Sequence, residues 1–150
     1  MNIDTIRFGN IEIEEEKVIT IVEGMFGFPG RHRYIILEHK EGSPFRWFQC
    51  VDDPSLAFVI IDPEMFQPQY RAAVPKEHLL ALGLQDPLQA AVFVVVNIAS
   101  DHSMITANLE GPVVVNPEKM VGRQIVLSDS SYSTRHVICS REGERCSETG

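Results

Sequence analysis

Long apolar runs are missing from this sequence. The longest, Ala90 to Val96, covers seven residues, far short of the roughly 20 that a bilayer requires. No membrane association is therefore expected. The opening Met1-Asn2-Ile3-Asp4 has no basic patch followed by an apolar stretch, so no secretory signal is expected there. Cysteine is scarce. Cys50, Cys139 and Cys146 are an odd number, which fits reduced thiols in a cytoplasmic protein better than a disulfide framework. Positive charge is also in short supply: 13 Lys and Arg stand against 21 Asp and Glu, for a net charge of −8. A surface of that sign repels polyanions, so direct nucleic-acid binding is disfavoured. The same charge attracts a basic partner and speeds the encounter, or it serves solubility alone.

The arrangements that carry chemistry are absent from the linear pattern. The five histidines, at 32, 39, 78, 102 and 136, are scattered, with no H-x-x-x-H and no C-x-x-C to hold a metal. His32, in Arg31-His32-Arg33, is expected as a solvated side chain. Gly24-Met25-Phe26-Gly27-Phe28-Pro29-Gly30 is glycine-rich, but its aromatics and proline do not leave a row of open amides for a phosphate. It is expected to form a tight turn that inserts Phe26 and Phe28 into the core. No nucleophile elbow occurs. Asp52-Asp53-Pro54 and Asp62-Pro63 read as turns, where Asp bonds nearby backbone amides. Glu14-Glu15-Glu16 reads as a solvated run. Neither an enzyme nor a cofactor is expected.

What remains is a chain of 150 residues, 44% hydrophobic and 23% charged. That is one domain of ordinary globular composition, able to bury about 70% of its unfolded surface. Strand signals dominate: the alternating Ile11 to Glu14, the β-branched run Val18 to Val22, then Tyr34 to Leu37, Phe45 to Val51 and Leu56 to Ile61. Later come Ala91 to Ile98, Met104 to Leu109, Val113 to Val115 and Gln124 to Leu127. In Phe45 to Val51, alternation puts Phe45 and Trp47 on one face and Phe48 on the other. The one helical segment is Lys76 to Leu82, entered through Pro75 and stopped at Gly83. About nine short strands at regular spacing predict an all-β fold, a sandwich or a small barrel. Residues 139–150 are polar and are expected to form a tail without order.

Several segments in order carry a family resemblance. Phe8-Gly9-Asn10-Ile11-Glu12-Ile13 is followed by Ile19 to Gly24 and Gly27-Phe28-Pro29-Gly30. Ser43-Pro44-Phe45-Arg46-Trp47-Phe48-Gln49-Cys50-Val51-Asp52-Asp53-Pro54 leads into Leu56-Ala57-Phe58 and Ile61-Asp62-Pro63. Ala107 to Asn116, Gly122 to Leu127 and Ser131-Tyr132-Ser133-Thr134-Arg135-His136 complete the series. Together they resemble FliW, the flagellar assembly factor of bacteria, from about residue 2 to 138.

That resemblance implies a small β-barrel-like domain of antiparallel strands over residues 1–138, in the cytoplasm and monomeric when free. It implies a chaperone-like partner of flagellin that also binds CsrA, a basic RNA-binding regulator, and so relieves repression of flagellin mRNA translation. The two partners would compete in a homeostatic switch. Candidate contacts for a basic partner are the acidic Glu14, Glu15, Glu16, Asp52, Asp53 and Glu64. Candidate lining for an apolar partner segment is Met65, Phe66 and Tyr70, because Glu64 to Tyr70 is an awkward place to bury so many large groups. The alternative is a small-molecule-binding β-barrel module, with Trp47 and the phenylalanines as its pocket.

Overall fold

The structure, a computed structural model, describes residues 1–38, 40–101, 103–128 and 131–140. Expectations placed on Cys146 and residues 141–150 lie outside the described residues.

The chain opens with a hairpin, β1 (Asn2–Thr5) and β2 (Gly9–Glu12). Then come β3 (Ile19–Ile21), β4 (Arg33–Glu38), β5 (Arg46–Cys50) and β6 (Ala57–Ile61). A short helix, α1 (Lys76–Ala81), sits among single 3-10 turns in the middle. β7 (Ala91–Ile98), β8 (Met104–Ala107), β9 (Val113–Asn116), β10 (Val121–Gln124) and β11 (His136–Ser140) follow.

Seven strands close a barrel, in the order β7-β6-β5-β4-β3-β10-β9 and back to β7. Closure removes the free edges that an open sheet would present. All but one of these pairs are antiparallel. β10 and β3 run parallel, with Val121 beside Thr20, which corrects the expectation of antiparallel strands throughout. β8 and β11 extend the sheet from the far half of β7.

Alternation along the strands separates inside from outside. Tyr34, Phe48, Cys50, Ile60, Phe93 and Val113 fill the barrel, each buried. Tyr34 and Phe48 stack with ring centroids 4.5 Å apart, worth about 0.5–1.5 kcal/mol beyond area burial. On the outer wall the 62–90 segment, β8 and β11 pack over β7 in a second cluster around Tyr70, Leu79, Val94 and Leu109. The β1–β2 hairpin lays Ile3 and Ile13 against Ile35 and Val51 in a third.

Several expectations are corrected. β1 and β11 carry no sequence signal strong enough to have been expected, and β11 extends to Ser140. The late strand lies at Val121–Gln124 rather than at Gln124 to Leu127. Gly122 belongs inside it: a Cβ there would meet the Val114 carbonyl oxygen and Val115 Cγ2 at 2.7 Å, so β10 approaches β9 this closely only with glycine. In the 24–30 turn, Met25 is buried at 2%, while Phe26 and Phe28 are exposed at 48% and 41%. The reversal follows from the backbone. Gly24 has φ +74, and a Cβ on it would sit 2.4 Å from the Phe28 carbonyl oxygen. That tight fold points Met25 inward and leaves the aromatics on the rim, where Phe28 packs edge-on against Phe58. Cys50 is a buried free thiol.

Candidate protein-binding surfaces

Two of the acidic candidates, Asp52 and Asp53, come together around two arginines, with Glu15 near enough to act on one of them. β5 and β6 are joined by a turn that Gln49 holds from beneath. Gln49 is fully buried, and its Nε2 lies 3.1–3.4 Å from the carbonyl oxygens of Cys50, Asp53, Pro54 and Leu56. Asp53 closes the turn by accepting from the Ser55 amide at 3.1 Å and the Ser55 hydroxyl at 2.8 Å. Its other oxygen accepts from Arg31 Nε at 3.1 Å. Those bonds, Ser55 first, hold its carboxyl below the usual range. Asp52 receives a two-pronged bond from Arg33, through Nε at 3.1 Å and through Nη2. The pairing holds Asp52 low and raises Arg33 further, and Glu15 adds to the field at Arg33. Glu15, Asp52 and Asp53 thus border one face.

The members of that face are not equivalent. Asp52 and Asp53 already satisfy Arg33 and Arg31. Glu14, Glu15 and Glu16 stand exposed at a single 3-10 turn (Glu15–Lys17) between β2 and β3, and their one ion pair among the described residues is Glu14–Lys17, at 3.4 Å. The unspent negative charge is theirs. His32 is exposed, with Nδ1 3.1 Å from the Ile21 carbonyl oxygen.

The second group of candidates lies elsewhere, on the segment over β7. Asp62 caps a 3-10 turn by accepting from the Glu64 amide at 2.9 Å. Glu64 accepts from the Arg71 amide at 2.9 Å and from Arg71 Nη2 at 3.3 Å, which lowers its carboxyl. Glu64 is therefore an internal brace. Tyr70 is fully buried, donates to the Leu109 carbonyl and packs edge-on against Tyr132 at 5.0 Å. Its place in an exposed lining is corrected: its hydroxyl finds a buried acceptor, so burying the ring leaves no polar cost. Phe66 is half-buried and stacks on His136 at 5.6 Å. Of the three apolar candidates only Met65, 62% exposed, is open.

A third region stands out only in the structure. A groove of about 590 Å³ runs beside Trp47, floored by Phe45, Val59, Val96 and Ile98 and flanked by Arg7 and Arg46. The Arg7 guanidinium carbon lies 4.3 Å from the Trp47 ring centroid, and Phe8 meets the ring edge-on at 6.1 Å. The one signal for it in the sequence is the pairing of Phe45 and Trp47 on the same strand face. What makes the groove, the parting of β6 from β7, has no local signature. Among the described residues no three His, Cys, Asp or Glu stand close enough to hold a metal ion. No helix among them is long and apolar enough to cross a membrane.

Comparison with known proteins follows the same lines. Residues 2–138 match the family model described as FliW protein. The flagellar assembly factor FliW of Geotalea uraniireducens is 44% identical over 136 residues, 91% of this chain and 83% of that one. That of Natranaerobius thermophilus is 37% identical over 146 residues, 97% of each chain. A crystal structure of the flagellar assembly factor FliW superposes with a TM-score of 0.81 at 31% identity, covering 91% of this chain and 96% of that one.

Proposed function

The chain belongs to the FliW family, and we propose that it is a flagellar assembly factor that acts by binding proteins. Its partners in this reading are flagellin, held in the cytoplasm as by a chaperone, and the basic translational regulator CsrA, whose repression of flagellin mRNA it relieves. The two compete for it, so the level of free flagellin sets how much CsrA is captured. The protein itself touches no nucleic acid, catalyses nothing and is monomeric when free.

One observation carries the reading: Glu14, Glu15 and Glu16 are exposed, with Glu14–Lys17 their one ion pair among the described residues, on a chain of net charge −8. Charges placed like these raise association rates with a basic protein more than they raise affinity, and salt screens them over about 8–10 Å. The test uses purified components. The immobilised chain is exposed to flagellin monomer and to CsrA separately, and binding of each is expected. Failure of both to bind overturns the reading. Reversing Glu14, Glu15 and Glu16 to lysine should slow CsrA association by roughly tenfold at low salt and flatten its salt dependence; an unchanged rate moves the interface elsewhere.

The groove beside Trp47 favours a second reading, a small-molecule-binding barrel. Its apolar floor and few polar groups suit such a ligand. Under that reading a metabolite screen changes Trp47 emission; a silent screen counts against it.

A further inference from the structure

We propose that the opened seam between β6 and β7 is a docking slot for an extended, largely apolar peptide segment bearing a carboxylate. The ladder between these strands consists of three pairs, Val59–Val96, Ile60–Val95 and Ile61–Val94. β6 nevertheless begins at Ala57, and β7 continues to Ile98. Over those ends β6 is paired with β5 alone, through Gln49–Ala57 and Phe48–Phe58. β7 is paired with β8 alone, through Asn97–Thr106 and Ile98–Ile105. At those ends Ala57 and Ile98 face each other with no ladder bond between them, while the main-chain groups of Phe58 and Asn97 turn to β5 and β8. That is the feature which an added strand exploits through main-chain bonds, with side-chain pockets supplying selectivity.

The surfaces on either side of the parting are continuous. The groove beside Trp47 and a smaller hollow of about 190 Å³ near Phe26 share Phe58, Val95 and Asn97. The smaller hollow is lined by uncharged polar groups; Gln124 and the Asn108 oxygen are already bonded to Phe26, Glu110 and Gly111, which leaves Asn97 and Thr106 to meet a peptide backbone. The larger has an apolar floor, two arginines and no carboxylate in its lining. Neither Arg7 nor Arg46 forms an ion pair among the described residues. Arg46 has Glu38 as its cross-strand neighbour, so Arg7, poised over Trp47, carries the charge argument. On a chain of net charge −8 this is a local reversal of sign. It selects an acidic segment and repels a basic one. The slot is separate from the Glu14–Glu16 turn and holds whether or not that turn binds CsrA.

The test uses the full chain and a capped octapeptide of alternating leucine and glutamate, with a leucine–lysine peptide and a glutamate peptide N-methylated at alternate residues as controls. Trp47 is the only tryptophan, so its emission reports the groove. A saturable change is expected with the glutamate peptide. The lysine peptide and the N-methylated peptide should each bind at least tenfold more weakly, the first for its charge and the second for its lost main-chain bonds. R7E should reverse the preference between glutamate and lysine. No saturable response, equal binding of the two charged peptides, or full affinity of the N-methylated peptide overturns the proposal, and none of these outcomes depends on the variant folding.

Discussion

Two stretches of the same barrel wall are built differently. Where β4 meets β5, five consecutive pairs run from Tyr34–Cys50 to Glu38–Arg46, and behind them Tyr34 and Phe48 stack in a fully buried interior. Where β6 meets β7, the ladder holds for three pairs and then parts over half-buried Ala57, Phe58 and Ile98. Opening free energies within a fold range from near zero to the global value, and binding elements are drawn from the low end. The sealed wall holds the barrel together. The parted wall can receive a ligand without the barrel opening.

The sharpest way to break this comparison is to truncate one ring on each wall. Phe48→Ala should cost about 3–5 kcal/mol, the range for a large aromatic removed from a packed core. Trp47→Ala, on the outer face at the groove, should cost less than half as much. Urea unfolding of both variants checks it, and equal losses would erase the distinction. Next in size is Gly122→Ala. Its methyl meets β9 backbone at 2.7 Å, and a loss of about 1–3 kcal/mol is expected from overpacking; an unchanged midpoint would mean that β9 and β10 can separate freely.

Tyr34 sharpens the contrast from inside the sealed wall. Its hydroxyl is buried with no partner among the described residues, and burial pushes its pKa up. An unmatched buried hydroxyl costs about 1–3 kcal/mol, so Tyr34→Phe should leave stability unchanged or raise it by about 1 kcal/mol. Clear destabilisation would show that the hydroxyl is bonded.

The smallest effects belong to the paired carboxylates. Asp52, Asp53 and Glu64 are all held below their usual range. A depressed carboxylate contributes stability that is present above its unfolded pKa and lost as pH falls through its folded one. Thermal midpoints should therefore be flat near neutrality and decline below about pH 4. Asp52→Asn should soften that decline while costing about 1 kcal/mol or less at pH 7, as exposed pairs do. A midpoint that starts to fall near pH 6 would point to a histidine instead.

How much of this was legible in the sequence depends on how local the cause is. The runs that became β4 to β7 announce themselves through β-branched and aromatic residues, and Pro75 and Gly83 bracket α1 as expected. That Phe48 and Trp47 lie on opposite faces follows from alternation alone; which face is the barrel interior does not, and Phe45 on the Trp47 side is buried too. Other features hang on contacts remote in sequence. Gly122 looks like a breaker until Val114 is placed against it. Tyr70 looks stranded until Leu109 offers its carbonyl, 39 residues on. Asp52 and Asp53 read as turn formers, and nothing local shows that Arg33 and Arg31 come to pair with them. The parting of β6 from β7 is a property of two ladders at once, and no single segment encodes it.

If this protein works as a switch between a flagellar subunit and a basic regulator, it must hold one or the other. Sedimentation velocity on an equimolar mixture of the chain, flagellin monomer and CsrA reads that directly. Two binary complexes are expected, with CsrA released as flagellin is raised; a stable species containing all three would contradict it.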